Sequence, residues 1–343
     1  MMKAVRLYAA GDLRVEDIAS PSAPRAGEAQ LTVTAAGICG SDLHNFRTGA
    51  WISRSPSVAG HEFVGVIAAL GDGVTGFAVG DTVVADSRVT CGVCAACRGG
   101  RPNVCDKLGF VGEVCDGGFA EEVVLPASLL VKAPAGVDAA ALAMAEPLAV
   151  ALHAVNRLSA PAGSPVLIVG CGPIGGLAAL LLSNRHDGPL LVADRNADRA
   201  GRVAEVTGAR VVDLSPDAVA EALAGAPLLA ALDATGHPDV IGTLVDLLSP
   251  GGTLALVGIG HGSLVVDPVL LVEREIALIG CHAFTDELPA AVALMPALAD
   301  RLLALIDETI DLDGVPAAYE RLLAGRSTGL KTIIRPVILL GSP

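Results

Sequence analysis

Apolar and polar positions follow two different rhythms along this chain. Up to about residue 150 the apolar residues come in short runs between Gly and Pro: LTVTAAGICG, FVGVIAALG, TVVADSRVT and FAEEVVLP. Short Val- and Thr-rich runs with a turn about every 8–12 residues predict a β-rich, barrel-like domain. From Pro165 the rhythm changes. VLIVG is apolar at every position, as expected of a parallel strand covered on both faces. A helix over Ile174–Asn184 follows, then LLVAD, a helix near Ala197–Val206, ARVVDL and a helix near Asp217–Leu223. LLAALDATG, a helix near Asp239–Leu248, TLALVG and EIALIGC complete the series. Strands alternating with helices predict βαβ units and a doubly wound parallel sheet. The last stretch, from about Phe284, holds one helical segment (Leu288–Leu305) and two short apolar runs. It is expected to return to the first domain. The predicted fold is therefore α/β, with one domain from 1–150 plus 285–343 and the other from 151–284.

Composition narrows the function. The chain has 343 residues, 52% hydrophobic and 17% charged, which excludes a disordered protein. The net charge of −14, with no basic stripe, excludes nucleic acid and an anionic membrane surface as partners. The apolar runs are broken well short of the ~18–20 residues that a membrane span needs. The opening MMKAVRLYAAGDLRVED has no apolar core of signal-peptide type, so a cytoplasmic protein is expected. Thiols in that compartment are reduced, and clustered cysteines there read as metal ligands.

Cys91-x2-Cys94-x2-Cys97-x7-Cys105 places four thiols in one tight loop. Four thiolates leave no position for water around a tetrahedral Zn²⁺, so this reads as a structural site. Arg98, Arg101 and Lys107 in the same loop can offset its excess negative charge. A second constellation is Gly37-Ile38-Cys39-Gly40-Ser41-Asp42-Leu43-His44, followed by Gly60-His61-Glu62. A Cys and a His-Glu pair offer three metal-ligand types from two segments, although a buried Cys and a surface His are the bland alternative. Glu146 stands in the very apolar AEPLA, where a buried carboxylate must be paired, ligated or protonated. The alternative is an ordinary carboxylate at a helix start before Pro.

Gly170-Cys171-Gly172-Pro173-Ile174-Gly175 follows a strand and opens a helix, the context of a dinucleotide-binding turn. The pyrophosphate would rest on the helix N-terminus. Asp194 ends the next strand and suits the adenine ribose hydroxyls, which favours NAD over NADP. Arg195 and Arg199 complicate that preference, because an Arg beside the ribose can accept a 2′-phosphate.

Taken together, GICGSDLH, GHEFVG, the four-Cys loop, EPLAVALHA, VLIVGCGPIGG and DATG resemble the zinc-dependent medium-chain dehydrogenase/reductase (alcohol dehydrogenase) family over nearly the whole chain, Lys3 to Arg335. Glu62 directly after His61, and Glu146 where classical alcohol dehydrogenases usually have a cysteine, resemble the polyol branch: sorbitol, L-idonate, butanediol and threonine dehydrogenases. The resemblance implies a GroES-like catalytic domain and a Rossmann domain. It also implies two zinc ions per chain, one structural and one catalytic, with the catalytic ion on Cys39, His61, Glu62 and, directly or through water, Glu146. Ser41 and His44 would relay the substrate proton. NAD would be held by Gly170, Gly172, Pro173, Ile174, Gly175, Asp194, Arg199 and Thr235. Phe46, Trp51, Phe110 and His282 would line the substrate pocket, with Asn45 and Phe284 as further wall. The implied activity is oxidation of a small-molecule polyol or other secondary alcohol by a homodimer or homotetramer, with TLALVG and EIALIGC able to extend a sheet across subunits. A threonine-type substrate would need a carboxylate anchor, for which Arg47 and Arg54 are the candidates. A non-catalytic relic would have lost one of Cys39, Ser41, His61 or Glu62, and all four are present. Sorbitol-type enzymes often carry an Arg near the position of Ala283, which this chain lacks. His153, His186, His237 and His261 have no partner motif and read as structural or surface residues.

Overall fold

The computed structural model describes residues 1–260 and 262–336. The chain divides into two compact units, one of residues 1–146, 288–327 and 331 onward, the other of residues 147–287 and 328–330.

The first unit is built on a seven-stranded sheet. Leu130–Lys132, Thr82–Ala85, Glu62–Leu70, Glu28–Gly37, Lys331–Ile334 and Ile306–Ile310 lie side by side, and Glu122–Pro126 also pairs with Glu28–Gly37. Glu28–Gly37 alternates: Ala29, Leu31, Val33 and Ala35 face the core, and Gln30, Thr32 and Thr34 are half-exposed. That two-residue period buries one face of a strand, and each large side chain so buried contributes about 1.5–3 kcal/mol. Phe63, Phe119, Leu125 and Tyr319 fill the centre of this core. A further sheet joins Met2–Ala9 to Asp12–Ile18 and Ser57–Val58.

The C-terminal part of this unit holds two helices rather than the single one expected. Glu287–Ala304 matches the predicted segment, and Val315–Leu323 is additional. The second is short, but Val315, Ala318 and Tyr319 recur at helical spacing and are buried, so packing stabilises what propensity alone would not. A helix at Pro268–Arg274 in the other unit was likewise not legible, because none of its residues is buried.

The second unit is a six-stranded parallel sheet. Its order is Arg210–Val211, Leu190–Ala193, Val166–Val169, Ala230–Asp233, Thr253–Leu256, Ala277–Gly280. This is the doubly wound arrangement, with successive strands added first on one side of Val166–Val169 and then on the other. All four residues of that strand are buried, as its uniform apolarity predicts. The following helix, Pro173–Arg185, is buried continuously from Gly175 to Leu182. Asn196 caps Ala197–Thr207 by accepting from Asp198 N (3.1 Å) and Arg199 N (3.2 Å). Ala277–Gly280 forms one edge of the sheet. Among the described residues, no helix is long and apolar enough to cross a membrane.

Candidate metal centres and dinucleotide site

Cys39 sits at the N-cap of the helix Gly40–Thr48, and its backbone N–H donates to Asp42 Oδ2 at 2.8 Å. His61 follows Gly60, whose φ of +92° suits glycine and whose missing side chain leaves room for the Phe119 ring. Glu62 begins the next strand, paired directly with Gly37. These elements bring one donor atom each from Cys39, His61 and Glu62 within 4.8 Å of one another. Sulfur, imidazole and carboxylate in such a cluster suit Zn²⁺.

Four further residues complete the surroundings. Asp42 Oδ1 lies 3.5 Å from His61 Nδ1, which orients the ring and leaves Nε2 for a metal. Ser41 Oγ lies 3.4 Å from that Nε2. Burial works against a charged His61, but the Asp42 carboxylate and the Cys39 sulfur outweigh it and hold the imidazole well above its usual pKa. Lys331 Nζ contacts both Glu62 oxygens, at 2.6 and 2.8 Å. Glu146, in the first turn of the helix Ala145–Leu158, is buried, and its Oε1 accepts from Ser87 Oγ at 2.6 Å. Burial is the main force pushing its carboxyl up to about 7; the neighbouring Glu62 acts in the same direction, against His61, Ser87 and Lys331.

The His44 ring packs 4.5 Å from that of Trp51 at a tilt of 41°, and the Phe110 ring lies 6.3 Å from that of His61. Asn45 is buried and accepts from Trp51 N at 2.9 Å, which ties Trp51 to the helix. Phe46 packs edge-on against Tyr319 at the rim of the core. In the other unit His282 is exposed, whereas Phe284 is fully buried and belongs to the packing. Arg54 is engaged with Asp116 at 2.9 Å, and Arg47 is exposed. His153, which reads from the sequence as a structural or surface residue, is buried with its Nδ1 2.8 Å from Glu287 Oε1. His261 lies outside the described residues.

The four-cysteine loop is compact. Cys105 Sγ lies 3.5 Å from Cys91 Sγ and 3.9 Å from Cys94 Sγ. Tetrahedral zinc with bonds of about 2.3 Å sets its sulfurs about 3.8 Å apart, so the spacing fits the ion. Backbone N–H groups of Cys97 and Asp106 pull the Cys94 thiol down to about 6, whereas burial and neighbouring sulfurs push Cys97 up to about 12.

In the second unit, Gly170 turns with φ +98° and donates to Ala193 O at 2.8 Å. Gly172 is the N-cap of Pro173–Arg185 and has no heavy atom within 4 Å of where a Cβ would be, which leaves space for a ligand to approach the backbone. Asp194 accepts from Cys171 N (2.6 Å) and Asn196 N (2.7 Å), so it fastens the glycine turn to the next loop. Arg199 Nε is buried with no partner among the described residues. Thr235 Oγ1 donates to the buried Asp233 at 2.6 Å. An open helix N-terminus, a missing side chain and a strand-end carboxylate together fit a dinucleotide.

Asp42, Ser87 and Lys331 had no role assigned from the sequence. Asp42 stands inside the quoted motif, but Ser87 is one serine among many. Lys331 shows only as a lone charge before an apolar run.

This arrangement defines a metal-dependent dehydrogenase, and comparison with known proteins agrees. Residues 25–135 match the family model "Alcohol dehydrogenase GroES-like domain" and residues 173–297 match "Zinc-binding dehydrogenase". L-galactonate-5-dehydrogenase of Escherichia coli K12 is 34% identical over 77% of this chain and 78% of its own length. The alcohol dehydrogenase rspB of E. coli CFT073, solved with NADH, superposes with TM-score 0.89 at 31% identity, covering 97% of this chain and 99% of that one. The 2R,3R-butanediol dehydrogenase of Bacillus subtilis gives TM-score 0.90 at 29% identity, covering 98% and 100%. The chain belongs to the zinc-dependent medium-chain dehydrogenase family, in its polyol branch. It is accordingly a zinc-dependent, nicotinamide-linked oxidoreductase acting on a small-molecule alcohol.

Proposed function

We propose that the protein oxidises a polyol or other secondary alcohol to the ketone with NAD, in the cytoplasm. The observation that carries this reading is the cluster of Cys39, His61 and Glu62 within 4.8 Å, backed by the buried Glu146. The residues 1–150 and 285–343 then form the catalytic domain, and 151–284 the cofactor domain. When bound, zinc supplies a Lewis acid that favours ionisation of an alcohol hydroxyl, and the nicotinamide supplies a two-electron acceptor.

The chain's own side chains do the rest. Cys39, His61 and Glu62 hold the metal, and Asp42 keeps His61 in the tautomer that can ligate. Ser41, beside His61, takes up the hydroxyl proton, and His44 passes it on. Glu146 supplies a buried carboxyl that can approach the metal or withdraw to Ser87. Trp51 and Phe110, beside His44 and His61, make the apolar wall. Gly170, Gly172, Pro173, Ile174 and Gly175 receive the pyrophosphate, Asp194 the adenine ribose, and Arg199 and Thr235 flank them. Cys91, Cys94, Cys97 and Cys105 hold the structural zinc.

A threonine-type substrate ranks second: of its two candidate carboxylate anchors, Arg54 is already paired with Asp116, which leaves the exposed Arg47. A homodimer or homotetramer is supported by the sheet edge at Ala277–Gly280, near the exposed Val265, Val269 and Val272.

Metal analysis tests the central claim. The wild type should carry two zinc ions per chain and Cys39→Ser one, with turnover abolished and NADH binding retained. Full activity in Cys39→Ser would overturn the assignment. A panel of polyols, secondary alcohols and L-threonine, followed by NADH absorbance, identifies the substrate class.

A further inference from the structure

Lys331 is the one lysine among the buried polar and charged residues, with its side chain 1% exposed. A buried ammonium is costly unless its donors are satisfied. Here Nζ contacts Glu62 Oε2 at 2.6 Å, Glu62 Oε1 at 2.8 Å and Ile38 O at 3.1 Å. Three acceptors meet three N–H groups. Three adjacent strands hold the arrangement in register: Glu62 is paired with Gly37, and Gly37 with Ile333, two residues beyond Lys331. Gly37 makes room for it. A Cβ there would overlap Glu62 Oε2 and stand 3.3 Å from Lys331 Cδ. The pair is thus built into the sheet.

The pair also competes with a metal. Glu62 can reach the ion that Cys39 and His61 would bind, yet both of its oxygens are already held by an ammonium. A divalent ion, one thiolate and one carboxylate sum to zero charge, and Lys331 restores one positive charge beside them.

We infer that Lys331 is a positioning residue of the catalytic metal site, which holds Glu62 back from full coordination and so keeps a place on the ion open for substrate. This rests on the reading that Cys39, His61 and Glu62 bind the metal.

Cobalt substitution tests it. Co²⁺ replaces zinc in the full-length protein, and each spectrum is taken as the difference from the same protein carrying Cys39→Ser. That difference removes the signal of the four-cysteine loop. In Lys331→Met the freed carboxylate should bind the ion through both oxygens instead of one. The d–d bands should weaken as coordination number rises, and Co²⁺ should bind more tightly in chelator competition by a factor of about ten, equal in size and opposite in sign to the smallest losses usual when a residue just outside the ligand set is changed. Lys331→Arg, which keeps the cation, should restore the wild-type spectrum and affinity. Wild-type spectrum and affinity in Lys331→Met, with only a lower melting temperature, would make Lys331 a purely structural lysine and overturn the inference. If Lys331→Met does not fold, Lys331→Gln, which retains a donor for Ile38 O, makes the same comparison. A wild-type difference spectrum with no Cys39-dependent band would instead overturn the metal-site reading itself.

Discussion

Gly175→Ala and Gly172→Ala make a matched pair for the dinucleotide turn. A Cβ on Gly175 would overlap the Gly170 carbonyl oxygen, lie 3.0 Å from its carbon and stand 3.1 Å from Ala234 Cβ. Two of these neighbours are backbone atoms of the turn and cannot swing aside, so the start of helix Pro173–Arg185 must lift from the sheet by about 1 Å. Overpacking of this kind costs about 1–3 kcal/mol, which lowers Tm by about 3–10 °C in a unit of this size. The same lift moves the N–H groups meant for the pyrophosphate, and an error of about 1 Å in such a site can cost a factor of up to about 100. Gly172→Ala meets no atom within 4 Å, so the folded protein tolerates the methyl group, which instead fills the space left for the ligand. Calorimetric melting and NADH titration separate the two cases. Gly175→Ala should lose both stability and NADH affinity, whereas Gly172→Ala should lose affinity alone. A Gly175→Ala protein with wild-type melting and NADH affinity within twofold of wild type would refute this account of the turn.

Asp194→Ala should weaken NADH binding, shift preference toward NADPH and lower Tm. The stability loss follows because Cys171 N and Asn196 N would lose their acceptor, at about 1–3 kcal/mol for the buried Cys171 N–H and less for the half-buried Asn196. An unchanged ratio of NADH to NADPH affinities would remove Asp194 from cofactor choice. Cys105→Ser should cost one zinc per chain and open the 91–105 loop to limited proteolysis; undiminished zinc content would exclude this loop as a site. Glu287 gives a pH test. Burial pushes its carboxyl up, but the His153 hydrogen bond and the Thr285 N–H outweigh it, so its folded pKa lies below the ordinary 4.5. Its contribution is then full above that ordinary value and is lost as pH falls through the lower, folded value. Urea denaturation should show wild type more stable than Glu287→Gln at neutral pH, with the gap closing in acid; a gap that widens in acid would reverse the sign.

Residues whose environment is encoded locally were the legible ones. VLIVG must be covered on both faces because every position is apolar. GCGPIG declares its turn because only glycine tolerates φ +98° and a backbone that close to a helix. The four cysteines announce themselves by spacing. What could not be read was pairing across large sequence separations. Lys331 and Glu62 are 269 positions apart, His153 and Glu287 134, and Ser87 and Glu146 59. Nothing in the neighbourhood of any one of them names its partner. Phe284 reads as pocket wall from its place in the loop and yet is core, because position along a loop does not determine which way a ring turns. The helix Val315–Leu323 escaped because its stability comes from tertiary burial of Val315, Ala318 and Tyr319.

The seven-stranded sheet closes on a strand that is made late. Lys331–Ile334 lies between Glu28–Gly37 and Ile306–Ile310, so the first 146 residues leave the ribosome without a neighbour that their own sheet requires. The parallel-sheet unit is translated in between and, apart from residues 328–330, can condense first. Until residue 334 emerges, the Ala36–Gly37 end of Glu28–Gly37 keeps an open hydrogen-bonding margin, and Glu62 waits for its counter-charge. Chaperone demand during biosynthesis should therefore concentrate on the amino-terminal segment, although in the finished protein that segment forms most of the first unit's core.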